Sequence, residues 1–297
     1  MKSLKGFVNI IKPTGMTSSD VVCKIKKILK MKKVGHLGTL DPAAAGVLPV
    51  AVGKATKFFD YFLSKEKKYT AVVHFGVTTD SLDSFGNITN IDKNTLVTKE
   101  MILSVLDEFK GEIYQLPPKY SALKVNGKKA YELAREGVEF ELKPRKITIF
   151  DINLREQSDL NTFVFDVHCS AGTYIRTLFA DIAAKMGTIA VVPVIIRTKS
   201  GAFETETALT IEEFEKTKEI IQIETVFSDF KKIEIDENMA KKVLNGVSVY
   251  ANELGLDNLY NLPFIIKFKG EVVGLYELKD SKTAPIAFVY ELSEELW

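Results

Sequence analysis

Cysteine, histidine and tryptophan are scarce in this sequence. Two Cys, three His and one Trp among 297 residues leave too little sulfur and imidazole for a disulfide framework or a Cys/His metal cluster. Cys23 and Cys169 are expected to pack as small apolar side chains. Long apolar runs are missing too. No stretch approaches the ~18 residues that suggest a membrane span, and Met1-Lys2-Ser3-Leu4-Lys5-Gly6 lacks the apolar core of a signal peptide. The expectation is a soluble, cytoplasmic protein with no membrane partner.

With 46% apolar and 27% charged residues, the chain has ordinary globular composition and length for one large domain, or a large and a small one. The net charge of +1 hides an asymmetry. Residues 1–68 hold fourteen Lys against four Asp/Glu, residues 69–202 sixteen cations against sixteen anions, and residues 203–297 ten against nineteen. So basic an N-terminal quarter is the electrostatic footprint of a polyphosphate partner. The acidic C-terminal third is expected to face away from it.

The densest chemistry lies in Gly35-His36-Leu37-Gly38-Thr39-Leu40-Asp41-Pro42-Ala43-Ala44-Ala45-Gly46-Val47-Leu48-Pro49. Glycine and proline at this density specify a non-repetitive loop. Asp41 before Pro42 can open a turn or cap a helix through Ala45, or can be a carboxylate presented for chemistry. Its surroundings in the sequence have to decide between them.

Upstream, Phe7–Ile11 reads as a buried strand ended by Lys12-Pro13-Thr14-Gly15. A helix follows, with Thr17, Ser18 and Ser19 as candidate N-caps and an apolar face of Val21, Val22, Ile25, Ile28 and Leu29. Its other face and exit carry Lys24, Lys26, Lys27, Lys30, Lys32 and Lys33 with no acidic residue between, a pattern suited to phosphate contact. Downstream, Gly53 turns the chain into a second helix and Lys67–Gly76 is a central strand with Tyr69 near its start. Asp80 and Asp83 sit in a polar loop as capping residues, and Thr98–Phe109 is a helix.

Residues 117–137 interleave basic and aromatic residues around Asn126-Gly127, a hairpin signal, with a short helix over Ala130–Arg135. Such a protrusion suits single-stranded or loop RNA, through Lys124, Lys128, Lys129 and Arg135. Strands are expected at Arg145–Ile152, Thr162–Ser170 and Ala190–Ile196. Between the last two, Gly172 opens a helix with Arg176 in its first turn, where the helix dipole disfavours a cation. A carboxylate is expected to compensate that charge. Beyond residue 231 the texture is of short strands, around Lys242–Val247, Phe264–Gly270 and Ala287–Tyr290.

Lys12-Pro13-Thr14-Gly15, the segment from Gly35 to Pro42, Lys68-Tyr69, Tyr120-Ser121-Ala122-Leu123-Lys124 and Gly172-Thr173-Tyr174-Ile175-Arg176 occur in an order that resembles the TruB family of tRNA pseudouridine synthases, from about residue 7 to 203. The resemblance implies an α+β fold, with a mixed, largely antiparallel central sheet flanked by helices. It implies a catalytic domain over 1–230 with an RNA-binding insertion at 117–143, and a small β-rich PUA-like domain over 231–297. The implied activity is isomerisation of uridine 55 in the tRNA T loop to pseudouridine.

Within that resemblance Asp41 is the essential carboxylate, acting as nucleophile or as base at the ribose, and Arg176 is its partner. Tyr69 stacks on the flipped base, whose unstacking has to be offset, and is a candidate to take its C5 proton. His36 fills the gap left in the T loop, Tyr174 and Ile195 contact the target nucleotide, and Lys12 supports the catalytic loop or a phosphate. Lys24, Lys27, Lys32, Lys33 and Arg197 complete the RNA-facing set. Ile195-Ile196-Arg197-Thr198 stands where the family usually has Leu-Arg-Arg-Thr. The rearrangement needs no cofactor or metal. The partner implied is tRNA, at its T arm and elbow, met by a monomer without an obligate protein partner. Two other readings are a tRNA-folding chaperone, which would need the lysines but not Asp41, and a guide-RNA-dependent subunit of the H/ACA type. The insertion and the absence of long terminal extensions favour a stand-alone enzyme over the latter.

Overall fold

The computed structural model describes residues 4–121, 123–125, 127–257 and 259–290. From the N-terminus, β1 (Gly6–Lys12), α1 (Ser18–Leu29), β2 (Val34–His36) and β3 (Ala45–Val52) lead through a 3-10 turn into α2 (Phe59–Leu63) and β4 (Lys67–Phe75). A hairpin of β5 (Val77–Thr79) and β6 (Ile88–Ile91), then α3 (Lys99–Leu106) and β7 (Gly111–Gln115), precede the insertion with β8 (Lys124–Val125), β9 (Lys128–Lys129) and α4 (Ala130–Arg135). Next come β10 (Arg145–Asp159), β11 (Thr162–Cys169), α5 (Ile175–Lys185), β12 (Ala190–Ser200) and β13 (Phe203–Glu204). The chain ends in α6 (Ile211–Thr217), α7 (Ile223–Val226), β14 (Lys231–Ile235), α8 (Glu237–Leu244), β15 (Phe264–Phe268), β16 (Glu271–Lys279) and β17 (Lys282–Phe288).

One large sheet runs β1-β3-β12-β4-β11-β10-β7, with β2 and β13 attached at its flank. Its pairings are antiparallel except β12 with β3, so the sheet is mixed and largely antiparallel. Strand residues alternate between faces, and here both faces are covered. Val8 and Ile10 of β1 and Leu48 and Val50 of β3 join the core beneath α1, α3 and α5. Phe7, Val47 and Ala51 point the other way, into an aromatic cluster with Phe58, Phe62, Phe203 and Phe227. The strands therefore read as continuous apolar runs rather than half-polar ones.

A second sheet, β14-β15-β16-β17, starts at Lys231. One of its faces has its own core with α8, while Ile265, Val272, Leu275 and Val289 close the aromatic cluster of the large sheet.

Three sequence expectations change. Half of the Gly35–Pro49 segment is strand, in β2 and β3, and the irregular part is confined to residues 37–44. Lys242–Val247, expected as a strand, is the end of α8 and its exit. Asp236 caps that helix by accepting from Met239 N at 2.8 Å, and Met239, Ala240, Val243 and Leu244 recur at helical spacing. Val243 and Val247, four residues apart, fit either period. Cys169 is buried as expected, whereas Cys23 lies exposed on the outer face of α1.

Candidate active site

Asp41 sits in the link between β2 and β3, where Ala44 N donates to Asp41 O across a tight turn. Both readings of the Asp-Pro pair thus apply: the backbone makes a turn and the side chain remains available. Three elements fix the link. From α1, Ser18 Oγ accepts from Leu40 N (2.9 Å) and donates to Leu40 O (3.0 Å). From the end of β1 and the turn after it, Lys12 Nζ reaches Pro13 O, Met16 O and Pro42 O, and Gly15 N donates to Pro42 O at 2.8 Å. From β12, Arg197 donates to Val47 O (2.8 Å), Thr39 O (3.1 Å) and Gly38 O (3.2 Å).

The parallel pairing of Arg197 with Gly46 makes this last contact possible. A Cβ on Gly46, which has φ +108°, would lie 2.3 Å from Arg197 O, so glycine is required where β3 and β12 meet.

These contacts bear on two assignments. Lys12 is 0% and Arg197 1% exposed; Lys12 donates to main-chain carbonyls, and Arg197 to three of them and to the Tyr69 side chain. Both hold the link from inside: Lys12 fits the loop-supporting alternative, and Arg197 is a buried strut of the cleft wall, not an exposed phosphate contact. Burial pulls the Lys12 ammonium down to about 8 against the attraction of Asp41.

Arg176, 4% exposed, stands in the first turn of α5. Its Nη2 donates to Asp41 Oδ2 at 2.6 Å and to Tyr120 O at 3.3 Å, while Nη1 donates to Ser81 O at 2.7 Å and lies 3.2 Å from Asp83 Oδ2. The cation that the helix dipole disfavours is therefore compensated by two carboxylates, not one. Buried charges persist only when paired in this way. The two differ in exposure. Asp83 has 8% of its side chain open, with Oδ1 accepting from Ser81 Oγ and Phe85 N, whereas Asp41 has 39% open. Asp83 anchors the arginine and the arginine aims Asp41.

These groups line a cleft of about 620 Å³ with Tyr69, Tyr174, Ile195, Lys67 and Arg197. Tyr69 is the third residue of β4, half-buried, and burial pushes its phenol up to about 12, with Arg197 beside it acting the other way. The ring is a protonated surface at neutral pH. Tyr174 caps α5, and the carboxamide of buried Gln115 grips its main chain, donating to Tyr174 O (3.1 Å) and accepting from Tyr174 N (2.8 Å). Burial raises the Tyr174 phenol, and Ser121 opposes the rise by hydrogen bonding.

His36 ends β2 outside the residues lining the cleft. Its Nδ1 is buried without a hydrogen-bond partner, and burial, with the positive charge of Arg197 and Lys129, lowers its pKa from 6.5. It is thus a neutral ring beneath the insertion.

Lys24, Lys27, Lys32 and Lys33 are exposed on and after α1, as are Lys124, Lys128 and Lys129 on the insertion. Lys128 pairs with Glu136 at 3.1 Å. Asn126 and the Arg135 side chain lie outside the described residues. Among the described residues no group of His, Cys, Asp and Glu is placed to hold a metal ion. Sequence reasoning missed Asp83 as a partner of Arg176, and missed Gln115. No signal in the sequence joins Asp83 to Arg176, because the fold alone brings the two together.

Residues 26–175 match the family model described as TruB family pseudouridylate synthase (N terminal domain). A relative from Caldanaerobacter subterraneus subsp. tengcongensis, named tRNA pseudouridine synthase B, is 45% identical over 262 residues, covering 87% of this chain and 92% of that protein. A protein of the same name from Clostridium perfringens is 45% identical over 255 residues, 84% of this chain and 86% of its own. Among solved structures, a Cbf5-Nop10-Gar1 complex matches with TM-score 0.71 at 29% identity, over 96% of this chain and 84% of the other. An H/ACA RNP bound to a substrate RNA containing 2'-deoxyuridine matches with TM-score 0.70 at 25% identity, over 98% and 86%.

Proposed function

The chain belongs to the TruB family of pseudouridylate synthases, and from that premise we propose that it converts uridine 55 in the T loop of tRNA to pseudouridine. The observation that carries this reading is the 2.6 Å pair of Arg176 and Asp41, exposed on one side to a cleft large enough for a nucleotide. Asp41 acts at the ribose, as nucleophile at C1' or as base at C2'. The C1'–N1 bond breaks, the uracil turns, C5 bonds to C1', and the C5 proton leaves.

Each step assigns a task to a residue of this chain. Lys12, Ser18 and Arg197 hold the link that presents Asp41, and Arg176, braced by Asp83, fixes the carboxylate in the geometry the reaction needs. The target base must leave its stack to reach the cleft, and the Tyr69 ring offers the surface that offsets this loss. His36 meets the T loop from beneath the insertion. The lysines of α1, with Lys124, Lys128 and Lys129, contact the phosphates. Residues 1–230 form the catalytic domain and 231–297 an appended PUA-like domain. The protein acts on tRNA in the cytoplasm as a single chain. Among the described residues no helix is long and apolar enough to cross a membrane.

The test is Asp41→Asn on an unmodified tRNA transcript carrying tritium at uridine C5. The variant is expected to bind the transcript as the parent does and to release no tritium. Turnover within tenfold of the parent would remove Asp41 from the mechanism, and a modified position outside the T loop would overturn the choice of substrate. A chaperone acting without catalysis would keep its effect on tRNA folding in this variant and show no tritium release in the parent.

A further inference from the structure

Lys67 is a buried cation of the cleft to which the steps above give no task. It begins β4 two residues before Tyr69, and side chains at this spacing share a face of the strand. Only 6% of it is exposed, yet it lines the same cleft as Asp41, Tyr69 and Arg176. Its Nζ donates to Leu63 O at 2.8 Å and to Lys65 O at 2.5 Å, tying the end of α2 to β4. An ammonium has three N–H donors. These two bonds leave one of them over, without an acceptor among the described residues.

The other cations in the cleft wall are committed. Arg176 is divided between Asp41, Asp83, Ser81 O and Tyr120 O, and Arg197 between the carbonyls of Gly38, Thr39 and Val47 and the Tyr69 side chain. When C1'–N1 breaks, its electron pair departs with the base, and the uracil carries a negative charge spread over N1, O2 and O4 until C5 bonds to C1'. A desolvated site stabilises such a charge with a donor already in place.

We propose that Lys67 is a catalytic residue that gives its third N–H to a carbonyl oxygen of the detached uracil and holds the anion beside Tyr69 while it turns. This rests on the pseudouridine synthase reading. No proton needs to be transferred, because the lysine supplies a charge-assisted hydrogen bond and keeps its own protons. Burial, with Arg197 nearby, draws the Lys67 ammonium down to about 8, so it is mostly charged at neutral pH and loses that charge on mild alkalisation. The thiol of Cys169, which faces it from β11, is pushed up to about 11 and the Tyr69 phenol to about 12, so neither titrates in that window. Asp41 and Asp60 are the acidic residues of the cleft lining. Lys12 also falls to about 8, and the variants separate the two lysines.

The experiment measures single-turnover tritium release and tRNA affinity against pH for the parent, Lys67→Met and Lys67→Arg. The parental rate is expected to fall as pH rises through about 8. Lys67→Met should be slower by roughly 100-fold at neutral pH, the scale for losing one donor to a developing anion. It should also have unchanged affinity and no alkaline fall near 8. Lys67→Arg should recover part of the rate and stay active at higher pH. A parental rate constant up to pH 9.5, or a Lys67→Met variant with the parental rate or the parental pH profile, overturns the proposal. If Lys67→Met does not fold, Lys67→Arg carries the test, because it removes an alkaline fall that belongs to Lys67 and leaves one that belongs to Lys12 in place. A parent protein that releases no tritium from tRNA would instead sink the underlying reading.

Discussion

Arg176 shows how far a single residue can be read from sequence. A cation in the first turn of a helix is misplaced with respect to the helix dipole, and that mismatch alone called for a carboxylate. The structure supplies Asp41 and also Asp83. The first was legible because its loop composition is unusual. The second was hidden because Asp83 makes local bonds to Ser81 and Phe85 that fully explain it as a loop cap, so nothing in the sequence required a distant partner. Gln115 was hidden for a similar reason, since its contacts with Tyr174 cross 59 residues. Asp83→Asn tests the division of labour between the carboxylates. With one anchor neutral, Arg176 is free to turn and Asp41 loses its aim. The rate of tritium release is expected to fall by roughly 10- to 100-fold, the scale for misplacing a reacting group by about 1 Å. Affinity for tRNA should not change, and an unaltered rate would show that Asp41 fixes Arg176 unaided.

Among the elements, α1 was legible and α8 was not. The candidate caps Thr17, Ser18 and Ser19 and the apolar face from Val21 to Leu29 identified α1 from sequence, and the structure makes Thr17 the cap, in a capping box with Asp20. In α8 a short helix ending in Asn245-Gly246 carries residues that also fit a strand, and the Asp236 cap together with packing against β15 and β16 selects the helical period. The unpaired lysines of α1 carry the element-scale prediction. Lys24, Lys27, Lys32 and Lys33 are exposed. Changing all four to Ala should weaken tRNA binding more at low salt than at high salt. The slope of log affinity against log salt is expected to shrink by about 0.7 to 0.9 for each lysine that neutralises a phosphate. Measured on the Asp41→Asn background, binding is free of turnover. An unchanged slope would place the phosphates elsewhere.

At the scale of the whole molecule, the sequence suggests a boundary near residue 231 because the texture changes there to short strands. The start of the second sheet coincides with that change, but its packing could not be foreseen. Ile265, Leu275 and Val289 lie in the same cluster as Phe7, Phe58 and Phe227, which brings side chains more than 250 positions apart into one core. Phe7 is 0% exposed, with ring centroids 5.7 Å from Phe58, 5.3 Å from Phe62 and 5.7 Å from Phe203. Phe7→Ala leaves a cavity that four aromatic rings and the second sheet share, and should cost about 3 to 5 kcal/mol. If the shared cluster couples the sheets, the variant unfolds in one transition with a lowered midpoint, followed equally by amide hydrogen exchange in β15 and β16 and by far-ultraviolet circular dichroism of the whole chain. Separate transitions, with only that of residues 1–230 moved, would mean that the two sheets fold independently and that the cluster is contact without coupling.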